Sequence, residues 1–110
     1  MKLLKYIYES KSIRIWLDDE RPSPKGWIHF DNVPDLIKFY EKNYKNIIEM
    51  SLDHDLGEGK QEGYKFLVWL EKKVLWDKLY KSIPDIHVHS ANPVGKKRME
   101  QTIQSIKRHI

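Results

Sequence analysis

"IIEMSLDHDLG", residues 47–57, decides how this chain is read. Its first six residues open on two isoleucines and alternate toward Leu52, the pattern of a β-strand, and the strand stops at Asp53. Asp53, His54 and Asp55 follow side by side. Three ionisable groups at the end of a buried strand are costly unless they are paired or put to use.

Working outward, two other stretches repeat the arrangement. "SIRIWL", residues 12–17, is β-branched at Ile13 and Ile15 and reads as a strand ending at Asp18 and Asp19. "IHVH", residues 86–89, follows Pro84 and reads as a strand ending at His89 and Ser90. Between the first and the third of these strands, "DERPSPKG" is a loop, since it holds two prolines and a glycine, and "WIHF" is a short strand.

Helical patterns separate the strands. Pro34 suits a first helical turn, and Leu36, Ile37, Phe39, Tyr40 and Tyr44 form an apolar stripe after it. "GEGKQEG" is a connector, after which Tyr64, Leu67, Leu70, Val74 and Leu75 mark an amphipathic helix from Glu62 to about Leu79. The last helix opens at "NPVG", with Asn92 as cap and Pro93 at the first position. Met99, Ile103, Ile106 and Ile110 supply its buried face.

Strands alternating with helices imply an α/β domain with a short, mostly parallel sheet covered on both faces. The loop from Asp18 to Trp27 has ten residues, fewer than the dozen or so that a helical crossover needs, so the first connection is abbreviated. A chain of 110 residues forms one such domain. Residues 1–11, "MKLLKYIYESK", stand before it and could add an edge strand or a hairpin with residues 12–17.

Composition narrows the classes. Hydrophobic residues make up 40% of the chain and aromatics 12%, which argues against disorder. The absence of cysteine excludes disulfides, thiolate zinc sites and a cysteine nucleophile, and it suits a reducing, cytoplasmic setting. The N-terminus lacks the pattern of a signal peptide, and no apolar run reaches the roughly 18 residues of a membrane span. A net charge of +4 favours anionic ligands without the dense basic stripe of a dedicated nucleic-acid binder.

Ligands of open α/β sheets sit beyond the carboxyl ends of the strands. Asp18, Asp19, Asp53, Asp55, His54, His89 and Ser90 all fall there. Crowded carboxylates repel, so a proton or a cation belongs between them. Hard oxygen donors favour Mg²⁺, Mn²⁺ or Ca²⁺, and His54 and His89 add groups that titrate near neutrality. Lys96, Lys97 and Arg98 oppose the dipole at the start of the last helix, a conflict that an anion bound near Asn92 would offset. His87 shares a face with His89 and reads as structural, and His29 and His109 read as surface or packing residues.

Two motifs fail. "GEGKQEG" lacks the spacer of a P-loop, and Lys60 is followed by Gln61. Gly57, Gly59 and Gly63 miss the dinucleotide spacing by one residue, and no nucleophile elbow surrounds Ser51, Ser82 or Ser90.

"LDDERPSPKGW", "SLDHDLG…GYKFLVWL" and "VHSANPVGKKRMEQTI" together resemble the cyclic-phosphate processing receiver domain, over about Ile13 to Ile106. The resemblance implies a compact receiver-like fold, flavodoxin-like, as a three-layer sandwich with three helices. By position, Asp18 and Asp19 match the acidic pair of receivers, Asp53 the phosphoacceptor and Ser90 the small hydroxyl. His54 and His89 match the histidines that set this family apart. The fifth strand ending in lysine of ordinary receivers is not found.

The leading expectation is a metal-assisted phosphoesterase for nucleotide-derived cyclic phosphates. Asp18, Asp19 and Asp53, with Asp55, would hold Mg²⁺ or Mn²⁺. One of His54 and His89 would activate water and the other would protonate the leaving oxygen. Arg21, Ser90, Lys96 and the amides after Asn92 would position the phosphate. The alternatives are a receiver phosphorylated on Asp53, a module that binds a cyclic nucleotide without cleaving it, and a nucleic-acid binder using the basic last helix.

Overall fold

The computed structural model describes residues 12–54 and 62–110. The elements run β1 (Ile13–Leu17), β2 (Ile28–Phe30), α1 (Val33–Asn43), a 3-10 turn (Tyr44–Asn46), β3 (Ile47–Leu52), α2 (Glu62–Leu75), β4 (Asp85–Val88) and α3 (Pro93–Lys107). The possible edge strand at residues 1–11 and the connector through Asp55, Gly57 and Gly59 lie outside the described residues.

All four strands are parallel, in the order β2-β1-β3-β4. Leu17 pairs with Phe30 and Leu52, and Leu52 pairs with Val88, so the carboxyl ends of the strands finish level. β1 passes to β2 through a loop closed by Gly26 at φ 88, a left-handed value suited to glycine, with Trp27 N–H donating to the Pro24 carbonyl.

The steps from β2 to β3 and from β3 to β4 move in the same direction across the sheet. Right-handed crossovers therefore place α1 and α2 on one face. Ile15, Leu17, Met50, Leu52, Ile86 and Val88 turn toward that face and are buried with Leu36, Tyr40, Phe66, Leu67, Leu70, Met99, Ile103 and Ile106 in one core. Each fully buried side chain of this size stabilises by about 1.5–3 kcal/mol.

This is the receiver-like α/β fold, and the described residues supply two of the three expected layers, the sheet and one helical layer. The other face carries Arg14, Trp16, Glu49, Ser51, Asp85 and His87, and no described helix covers it. The short β1–β2 connection is the reason, since a full crossover there would have supplied the missing helix. Arg14 Nε donates to Glu49 Oε1 at 3.0 Å, and His87 Nε2 lies 2.9 Å from Glu49 Oε2, a polar row spanning three strands.

Local signals set the helix starts. Asn32 caps α1 by accepting from Asp35 N–H, with a proline in its first turn. The expected stripe holds, with Leu36 and Tyr40 buried and Ile37, Phe39 and Tyr44 packed against the core, although Tyr44 lies past the helix in the 3-10 turn. Two helix ends differ from expectation. α2 stops at Leu75, not near Leu79, because Lys78 turns left-handed at φ 51 and Leu79 N–H donates back to the Lys73 carbonyl. α3 stops at Lys107, which leaves Ile110 outside the helix and 46% exposed. Phe66, absent from the expected α2 stripe, is fully buried and packs edge-on to Tyr40.

Candidate functional site

The ladder hydrogen bonds continue one residue beyond the strands. Asp18 N–H donates to Phe30 O, Asp53 N–H to Leu17 O and His89 N–H to Leu52 O, at 2.9–3.0 Å. This brings Asp18, Asp53 and His89 side by side at one rim. Oxygens of Asp18, Asp19 and Asp53 lie within 4.8 Å of one another.

Asp18 is the anchor of the group. It is 1% exposed, and its Oδ1 accepts from the backbone N–H groups of Glu20 and Arg21, each at 2.8 Å. Its Oδ2 lies 2.9 Å from His89 Nε2 and 4.0 Å from the Arg21 guanidinium. Burial by itself pushes the carboxyl up, but the Arg21 and Glu20 amides and His89 outweigh it and hold Asp18 below the usual carboxylate range. His29, expected as a surface or packing residue, donates its Nε2–H to the Asp18 carbonyl and so helps to hold the rim.

His89 is fixed on three sides. Its Nδ1 lies 2.7 Å from Ser51 Oγ, Nε2 faces Asp18, and its ring stacks on Trp16 with centroids 3.8 Å apart and planes 8° from parallel. Burial, joined by the nearby Arg21 charge, lowers the His89 pKa against the opposing pull of Asp18.

His54 belongs to another environment. It is 4% exposed and faces Gly95 in the first turn of α3. A Cβ at Gly63 would meet the Asp53 carbonyl oxygen, so both glycines allow helix starts to press against the end of β3.

The α3 entry holds local bonds in place of open donors. Asn92 Oδ1 accepts from Val94 and Gly95 N–H, the Asn92 carbonyl accepts from Lys96 N–H, and Ser90 Oγ accepts from Asn92 N–H. The amides expected to bind phosphate are donating to Asn92 itself, so Asn92 acts as a cap and Ser90 supports the turn. Arg21 is half exposed at the rim and Lys96 is partly exposed. Asp55 lies outside the described residues. Sequence reasoning missed Ser51 and Trp16. The one available signal was their alternation with Asp53 and Asp18 along the strands.

The family model for the cyclic-phosphate processing receiver domain matches residues 13–105. The chain belongs to this family. Neither the curated proteins nor the solved structures gave a match. The family match spans all the described elements except the last residues of α3, and so takes in every rim residue named above. No helix among the described residues is long and apolar enough to cross a membrane.

Proposed function

We propose that this receiver-like domain is a cation-assisted phosphoesterase acting on nucleotide-derived cyclic phosphates. The observation that carries the reading is the approach of Asp18, Asp19 and Asp53 to within 4.8 Å at the rim, in a chain of the cyclic-phosphate processing family. The donor set fits Mg²⁺ or Mn²⁺, since all three donors are hard carboxylate oxygens and the chain has no cysteine. A bound ion of this kind polarises phosphoryl oxygens and makes a coordinated water more acidic.

The chain's own groups do the rest. Asp19 is exposed and leaves the cation side of the rim open to water and substrate. The Arg21 guanidinium, held at the rim by its backbone bond to Asp18, is placed to take a phosphate oxygen, and Lys96 adds a second positive charge. An acid–base role for His54 would require its ring to leave the enclosure beneath α3.

The test is a hydrolysis screen of cyclic mono- and oligonucleotides and of terminal cyclic phosphates, with Mg²⁺ or Mn²⁺, for the wild type and Asp53→Asn. Turnover in the wild type alone is the expected result. Substrate bound and recovered intact would make the domain a binding module instead.

One observation favours a second reading. Asp53 ends β3 beside the acidic pair Asp18 and Asp19, the arrangement in which receivers accept phosphate. Incubation with a small phosphodonor and Mg²⁺, followed by intact mass, would reveal a phosphoryl adduct that Asp53→Asn lacks.

A further inference from the structure

We propose that Ser51 and His89 are positioning residues, which aim the Asp18 carboxylate at the cation and exchange no proton with substrate. The proposal deepens the cation-assisted reading and rests on it.

The bonding leaves His89 no nitrogen for substrate. An ionised carboxylate only accepts, so the Nε2–H of His89 donates to Asp18 Oδ2 at 2.9 Å. The other ring nitrogen, Nδ1, is engaged as well, in a hydrogen bond with the Ser51 hydroxyl at 2.7 Å. Ser51 is itself buried, at 6% exposure, in the middle of the sheet. Its hydroxyl fixes the rotation of the ring from below, while Trp16 covers one ring face.

The loop closes the arrangement. Trp16 Nε1–H donates to the Arg21 carbonyl at 3.2 Å, and the Arg21 N–H donates to Asp18 Oδ1 at 2.8 Å. Stacking and hydrogen bonds thus run in a ring through Asp18, His89, Trp16 and Arg21, anchored to β3 by Ser51.

Counting acceptor sites shows what the ring achieves. A carboxylate offers about four lone-pair sites. Glu20 and Arg21 N–H occupy both sites on Asp18 Oδ1, and His89 occupies one on Oδ2. The remaining site, on Oδ2, is the one left for a cation shared with Asp19 and Asp53. Its direction is set by where His89 holds that oxygen, and His89 is held by Ser51. Residues that orient metal-binding carboxylates in this way typically change affinity by about 10–100-fold.

The experiment uses the full chain and Mn²⁺ alone, with binding read from the electron paramagnetic resonance of free Mn²⁺. Ser51→Ala should weaken binding by about 10–100-fold, and Ser51→Thr, which keeps the hydroxyl, should recover most of the loss. In metal-free protein, side-chain ¹⁵N resonances of His89 should show Nε2 protonated and Nδ1 hydrogen-bonded, with the Nδ1 signal shifting in Ser51→Ala. Wild-type Mn²⁺ affinity in Ser51→Ala, or an unmoved Nδ1 resonance, overturns the positioning role alone. Failure of the wild type to bind Mn²⁺ overturns the cation-assisted reading, and the proposal falls with it.

Discussion

The His54 ring lies against Gly95. Its Cγ, Cδ2 and Cε1 stand 2.6–2.7 Å from where a Cβ on Gly95 would project, so the imidazole face occupies the space that any side chain there would need. The first turn of α3 and the end of β3 meet through this contact, and it fixes where α3 begins relative to the rim.

Gly95→Ala should therefore destabilise the domain. The usual gain of about 1 kcal/mol for replacing a helical glycine is set against about 1–3 kcal/mol for overpacking a closed contact. The net expectation is a loss of about 1 kcal/mol, read from urea denaturation. Gly95→Ala combined with His54→Ala should cost less than the sum of the single changes, because the clash disappears with the ring. Additive costs would mean that the two residues do not share the space.

Asn92→Ala should cost about 1 kcal/mol, through loss of the two bonds from Val94 and Gly95 N–H. Asn92→Asp keeps the acceptor and should retain most of the stability. Unchanged stability in Asn92→Ala would return Asn92 to the role of a ligand group.

Mn²⁺ should raise the unfolding free energy of the wild type, by about 2.7 kcal/mol at one hundred times the dissociation constant. Asp53→Asn should lose most of that increment while folding normally without metal. Thermal denaturation with Mn²⁺ and with a chelator measures both.

Stability should fall as the pH drops from 7 toward 5. The His89 pKa is lowered from 6.5 on folding, so in this range the unfolded chain takes up a proton that the folded chain resists. The Asp18 pKa is lowered from 3.8, so its contribution is present above that value and is lost on further acidification. His89→Gln should flatten the slope between pH 7 and 5 and leave the acid limb. An unchanged slope would place the titrating group elsewhere.

The strand ends were legible because their pattern is local. Alternation in "SIRIWL" and "IIEMSL" located β1 and β3 to within a residue, and Asn92 with Pro93 announced α3 through bonds made within three residues. The gathering of Asp18, Asp19 and Asp53 also followed, since parallel strands finish on one edge. The stop of α2 at Leu75 was hidden, because Lys78 carries no mark of the left-handed turn it adopts.

The sequence by itself determined which chemistry reaches the rim, because strand periodicity and helix caps are written in neighbouring residues. Tertiary structure alone decided what each group does there. His54 and His89 look equivalent as letters, yet one lies under Gly95 and the other joins Asp18 to Ser51. The reason is that side-chain direction and partner depend on strand register. Register is set by pairings between segments some tens of residues apart, such as Leu17 with Leu52 and Leu52 with Val88.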